Sequence, residues 1–302
     1  MASTASGSVA WAEQVTIHDD NVSLCLLLNH RDRTMRVVDY RSGFNPDKGA
    51  LVLAAARRQG VDRVFTLVER DEVSNWQRLG FLREGHVPGF YKRSDAWILG
   101  APVDSNLTQA CLEESGMRRA PGSCGDEALA EREMQAIRRA CREADEQPVV
   151  PVRLREARKP EVLKAVVTAL RSNRALTAFA PFGRDVQRRY YACTGRGGFS
   201  LMASAEIQPC FNNAFLELLS GPRTDKEGLL VCASLGLLSE ELLRLGVVAC
   251  FGVSPVGDRR LALAYARSGF RRTGVLREHL VRAGSRVDAF LWARKLAMPD
   301  DR

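Results

Sequence analysis

Residues 223–234 read RTDKEGLLVCAS, and the apolar run AFLELLSG stands just before them. A strand–turn–helix junction with a glycine can hold a phosphate, because the first amides of a helix have no partners of their own and point out of its end. Here the glycine is Gly228, and Lys226 stands beside the acidic Asp225 and Glu227, so a phosphate cradle and an ordinary turn are both open readings. Two carboxylates lie within strand-like runs, Glu206 in SAEI and Glu217 in AFLELLS. Apolar surroundings can push a carboxylate up into the range of a general base; the alternative for each is a solvated, outward position. Tyr265 sits on a helix ahead of Gly269-Phe270, where a plain core aromatic is the alternative.

Other chemistries find no support. The four histidines are scattered without an HExxH pattern, and none of the eight cysteines forms a CxxC pair. We expect reduced, mostly buried thiols and no metal. Residues 149–302 hold 25 basic and 14 acidic side chains, a net of +11. Such a balance suits an anionic ligand, whether a nucleotide, a phosphorylated cofactor or nucleic acid, or else it is a solvated arginine-rich surface. No apolar stretch is long enough to span a bilayer, and the polar start MASTASGSVAWAEQ lacks the basic and apolar regions of a signal peptide, so a cytoplasmic location is expected.

The elements that must position these residues come in two sets. SLCLLL and TMRVVDYR flank the polar NHRDR as a hairpin, followed by a helix in PDKGALVLAAARRQG, a strand in VDRVFTLVE, a helix in DEVSNWQRLGF, and strands around GHVPGFYK and DAWILG. Residues 101–147 read as a helical linker, with a loop at PGSCGDE and a charged helix whose Leu129, Met134, Ile137 and Cys141 fall near one side. From Pro148 the pattern restarts: a strand, a helix with Val162, Leu163, Val166, Val167 and Leu170 inward, three antiparallel strands, a helix to about Gly246, the apolar strand VVACFGVSP, a helix capped by Asp258, and VDAFLWARKL. WQRLGFLREG (76–85) matches YARSGFRRTG (265–274), and each precedes an Asp-Ala-aromatic strand, which we read as an internal duplication with the first copy truncated on its N-terminal side.

The order of elements over 148–298, with its Tyr265…Gly269-Phe270 helix ending, resembles the GNAT acyltransferase superfamily. The early DYR, the run GFLREGHVPGFYKRSDAWIL, the linking helix and SAEIQP occur in the same order in the β-lysine N-acetyltransferase family, which the chain resembles over nearly its whole length. The resemblance implies an α/β fold of tandem GNAT-like mixed sheets flanked by helices: a truncated domain at 1–100, the linker, and a complete domain at 148–298. It implies acetyl-CoA as co-substrate, a small amine as partner (lysine- or β-lysine-like), Leu219 and Ser220 against the thioester, and Lys226, Glu227, Gly228 and Leu229 as the pyrophosphate turn. Tyr265 would be the general acid, since a phenol is close in acidity to a thiol, with Glu206 and Glu217 as further catalytic candidates. The pattern departs at the turn, where Lys226 replaces a glycine and Glu227 adds negative charge, and at Ala214 and REHLV, where family polar residues are missing. The alternative function is therefore a degenerate, non-catalytic tandem scaffold. Nucleic acid is the weaker partner reading, and a homodimer is left open.

Overall fold

A computed structural model describes residues 12–18, 20–103, 124–142, 150–184 and 186–297. In the first copy β1 (Ala12–His18), β2 (Ser23–Asn29) and β3 (Thr34–Asp39) form an antiparallel meander. The helix α1 (Pro46–Arg58) begins where the Asn45 side chain accepts the Asp47 N–H at 2.9 Å, with proline at its first position. It carries the chain to β4 (Arg63–Val68), parallel to β3. A short α2 (Val73–Arg78) leads to the antiparallel pair β5 (Leu82–Val87) and β6 (Ala96–Pro102), and β6 also pairs with β4.

After α3 (Cys124–Arg142), the second copy runs β7 (Val152–Glu156), α4 (Lys159–Arg171), β8 (Gln187–Gly195), β9 (Ser200–Gln208) and β10 (Asn213–Leu218). It continues through α5 (Asp225–Arg244), β11 (Ala249–Pro255), α6 (Arg259–Arg267), β12 (Arg271–Arg282) and β13 (Ser285–Lys295). The strand order β1-β2-β3-β4-β6-β5-β12-β13-β11-β10-β9-β8-β7 mirrors itself about the β5–β12 contact, apart from β7, an extra edge strand of the second copy. In each copy a helix crosses between two parallel strands, α1 between β3 and β4, α5 between β10 and β11.

The expected pair of sheets is thus one sheet of 13 strands. The reason is a glycine pair taken from the repeated motif. Gly85 of β5 faces Gly274 of β12, and a Cβ on Gly274 would stand 2.5 Å from the Gly85 Cα. Only two glycines allow the two backbones this approach. Beside them, Glu84 pairs with Arg63 in the interior, an ion pair with 3% and 4% of its side chains exposed.

Three further expectations need correction. β12, a strand of 12 residues, replaces the unassigned segment after Gly-Phe; its charged residues and two register breaks hide the period-two pattern. GHVPGFYK is strand only to Val87 and then a turn. Leu129, Leu163 and Val167 face outward, while Met134 and Ile137 on α3 and Val162 and Val166 on α4 are buried. On α3 this is because Ala130, a step further round the helix, takes the core position that Leu129 was expected to fill. Of the expected PGSCGDE loop, residues 121–123 lie outside the described residues, and from Cys124 onward the segment is already the start of α3.

One face of the second copy packs Ala214, Leu216 and Leu218 of β10 against Leu230, Leu235 and Leu242 of α5. The opposite face meets the first copy: Phe65 and Phe90 pack with Phe182, Phe215 and Phe251, ring centroids 4.5–5.8 Å apart. Aromatic burial on this scale contributes a few kcal/mol per ring. Asn213 of β10 adds a hydrogen bond of 2.7 Å to the Phe90 carbonyl, tying the two copies together. Among the described residues, no helix is long and apolar enough to cross a membrane, and no group of three metal-binding side chains occurs. Among the described residues Cys25, Cys141, Cys193, Cys210, Cys232 and Cys250 form no disulfide, and Cys210 is exposed.

Candidate functional site

β10 and β11 pair in parallel from Asn213–Ala249 to Leu216–Gly252 and no further, so the two strands part at Glu217. β10 keeps to its other neighbour: the Leu219 N–H donates to the Met202 carbonyl at 2.9 Å. The Leu219 carbonyl accepts the Leu176 N–H at 2.8 Å, so both main-chain groups expected to face a thioester are engaged. Ser220 is half-buried at the turn that follows.

Tyr265 closes the apex of the parting. A Cβ on Gly252 would stand 2.8 Å from the Tyr265 hydroxyl, so the glycine makes room for it. The ring is wholly buried, stacked on Trp292 at 5.6 Å and edge-on to Phe270 at 5.2 Å. Its hydroxyl has no hydrogen-bond partner among the described residues. Burial first, and then the neighbouring Cys250 and Glu217, push the phenol well above its ordinary range. As placed, it is a much weaker acid than a thiol. Trp76 holds the matching place in the first copy, also buried and edge-on to Phe81 at 4.9 Å, so the position has a packing role in both copies.

Glu217 projects from the other face of β10, as the alternation with Leu216 and Leu218 dictates. Its carboxylate accepts from the Thr177 hydroxyl at 2.6 Å and the Ser204 hydroxyl at 3.1 Å. Burial raises it to about 7, against the lowering effects of Arg188 and Thr177. Glu217 is thus a carboxylate divided between its two protonation states near neutral pH. Glu206 is different. It is fully buried, accepts from the Phe182 N–H at 2.9 Å and the Gly183 N–H, and forms an ion pair with Arg188. These contacts occupy both oxygens and anchor the 177–184 loop to β8 and β9. Within that loop Phe179 holds φ at +59°, in the left-handed region, and its N–H donates to the Thr177 hydroxyl at 2.8 Å.

Glu217 reaches a cavity of about 80 Å³ between the two copies. The first copy contributes Asn29, Asp32 and Arg36 to its wall, and the second contributes Thr177, Glu217 and His279. Asp32 is paired with Arg31 at 3.0 Å and accepts from Asn29 at 2.9 Å. Arg36 and His279 were not among the sequence candidates. Period two sends Arg36 away from the Met35 and Val37 face, which in a single copy means toward solvent; only the second copy covers it.

The junction at 223–229 is a capped helix start. Thr224 is the N-cap, its hydroxyl accepting the Glu227 N–H at 3.2 Å, and the Glu227 carboxylate accepts the Arg223 N–H at 2.7 Å. The Gly228 N–H goes to the Thr224 carbonyl at 2.9 Å. Of the first four amides this leaves those of Asp225 and Lys226 without a bond inside the helix. Lys226 is exposed, and Glu227, Gly228 and Leu229 are half-buried. Gly228 has helical backbone and open space where a Cβ would go, so neither conformation nor contact demands a glycine. Cations cluster here. Arg174 donates to the Gly221 carbonyl at 3.3 Å, and its guanidinium is disfavoured by burial and then by nearby Arg223; Arg260 pairs with Asp225 at 2.7 Å.

In the first copy the equivalent junction is closed. Lys48, only 2% exposed, pairs with Asp39 at 2.6 Å and donates to the carbonyls of Gly43, at 3.0 Å, and Arg41. Its ammonium ties the strand end to the helix start.

Two solved structures each match about half of this chain. A spermidine N-acetyltransferase from Vibrio cholerae, in complex with CoA and spermine, is 12% identical, with 49% of this chain and 96% of that chain covered and a TM-score of 0.39. A ribosomal-protein alanine N-acetyltransferase from Escherichia coli is 16% identical, with 50% and 98% covered and a TM-score of 0.37. No protein-family model and no curated protein matches the sequence.

Proposed function

We propose that the chain is an N-acyltransferase acting on a small amine, with Glu217 as the base. The observation that carries this is a carboxylate raised to about 7 at a cavity wall, where two parallel strands part. A base works best when its pKa lies near the working pH, and burial has placed this one there. Acetyl-CoA would supply an activated acyl carbon. The turn before α5 gathers Arg174, Arg223 and Lys226 toward a diphosphate, with two open amides at Asp225 and Lys226, against the carboxylates of Glu227 and of Asp225, the latter paired with Arg260. Glu217 would take a proton from the amine as the nitrogen–carbon bond forms and the carbon–sulfur bond breaks. The departing sulfur keeps the bonding pair and is protonated from solvent, because the Tyr265 phenol is too weak an acid where it stands. Arg188, which acts on both Glu206 and Glu217, would hold the carboxylate's surroundings in place.

The degenerate-scaffold reading has its own observation: the Glu227 and Gly228 amides are taken by Thr224, and the Leu219 main chain is engaged. Calorimetry and thermal shift with CoA on the full chain separate the two. Binding at a hundred times Kd would stabilise the fold by about 2.7 kcal/mol. Acetyl transfer from acetyl-CoA to small amines, reduced at least tenfold by Glu217→Gln, is expected. Absence of both CoA binding and transfer would leave the scaffold.

A further inference from the structure

Arg36 is a buried cation without an anion. It is 8% exposed, its Nη1 donates to the Phe182 carbonyl, and its guanidinium carbon lies 4.5 Å from the Phe182 ring centroid. Its Nε has no partner, and no carboxylate pairs with it among the described residues. Burial disfavours its charge, and the carboxylate that acts on it, Glu206, is already committed to Arg188. A buried charge with one partner missing is expensive, by several kcal/mol in typical proteins, and the usual resolution is an anion. His279, also at the cavity, has no partner for Nδ1, and burial with the nearby Arg63 and Arg286 keeps the ring neutral, able to give or take one hydrogen bond. Glu217, held by Thr177, lines the same cavity from the second copy. The first copy thus brings Arg36 to the cavity, beside an Asp32 already paired with Arg31, and the second brings Glu217, with no ion pair between Arg36 and Glu217 among the described residues.

Its size limits the occupant. A volume of about 80 Å³, at roughly 10–15 Å³ of the same measure per water, takes about five to eight atoms other than hydrogen. We infer that the cavity receives a short amino acid, its carboxylate held by Arg36 and its amine by Glu217, so that the truncated first copy selects the acceptor for the second. This rests on the transferase reading for what happens to the amine, and on Arg36, His279 and Glu217 alone for the binding.

Calorimetry of the full chain, without acetyl-CoA, tests the binding by itself. The probes are glycine and β-alanine, their amides glycinamide and β-alaninamide, and lysine. A guanidinium–carboxylate contact should favour each acid over its amide by roughly 10- to 100-fold, with lysine weaker than β-alanine. Arg36→Met should bring the acid-to-amide ratio close to one, and Arg36→Lys should restore part of it. Equal binding of acids and amides by the natural chain, or an unchanged ratio in a folded Arg36→Met variant, overturns the inference. So does lysine binding as tightly as β-alanine. If Arg36→Met does not fold, the natural chain's acid-to-amide ratio and the lysine comparison decide. A separate turnover assay distinguishes the two readings. Acids bound but never acetylated would remove the transferase and leave the site, whereas amines acetylated without preference for a carboxylate would do the reverse.

Discussion

Glu217→Gln should flatten part of the stability profile between pH 4.5 and 7. In the folded chain this carboxyl holds its proton to about 7, while in the unfolded chain it releases it near its ordinary 4.5. Between those values unfolding releases a proton, so rising pH favours the unfolded state. The stabilisation is complete below pH 4.5 and is lost as the pH rises through about 7. At about 1.4 kcal/mol per pH unit, the interval amounts to roughly 3 kcal/mol, and cavity water that screens the carboxylate lowers it toward about 2. Glutamine keeps the shape and can still accept from Thr177 or Ser204, yet has nothing to titrate. Asp32, Asp39, Glu84 and Glu133 are raised by burial as well, so the natural chain keeps a slope of its own and the variant must be compared with it. Urea denaturation of both proteins at pH 5 and pH 8 measures the effect. The natural chain should lose about 1.5–2.5 kcal/mol more than the variant between the two conditions. Equal losses, within about 0.5 kcal/mol, would show that Glu217 is not held near 7, and would take the base assignment with it.

Two glycines should behave oppositely. Gly274→Ala drives a Cβ into Gly85 and should destabilise by several kcal/mol, whereas Gly228→Ala has open space on a helix and should stabilise by up to about 1 kcal/mol; denaturant midpoints check both. Tyr265→Phe removes a buried hydroxyl without a partner, so the variant should be at least as stable as the natural chain. It should also keep at least about a tenth of any acetyl-transfer rate, and a larger loss would restore the phenol as proton donor. Lys48→Met leaves Asp39 alone in the interior and should cost about 3–5 kcal/mol by chemical denaturation, while adding Asp39→Asn should recover part of it.

Much of the chain could be read along its length. Runs such as VDRVFTLVE and VVACFGVSP became buried strands of their copies, and the Asp258 side chain caps a helix as expected. The matched Gly-Phe…Gly segments were visible as a repeat. Their last glycines do more than repeat, because they meet at the seam of the sheet. No periodic signal could announce that meeting, since each copy alone would show only a strand with a glycine in it.

Local pattern therefore indicated most of the helices and strands and a repeat between the two halves of the sequence, because those signals depend on neighbours a few residues apart. What the tertiary structure decided is which polar side chains lost their water. Arg36 sits on a strand face that the first copy alone would leave open and that Phe182 of the second copy covers, while Glu217 is enclosed by Thr177 and Ser204 of its own copy. Desolvation comes from atoms distant in the chain, so the burial of Arg36 and the acidity of Glu217 follow from tertiary packing.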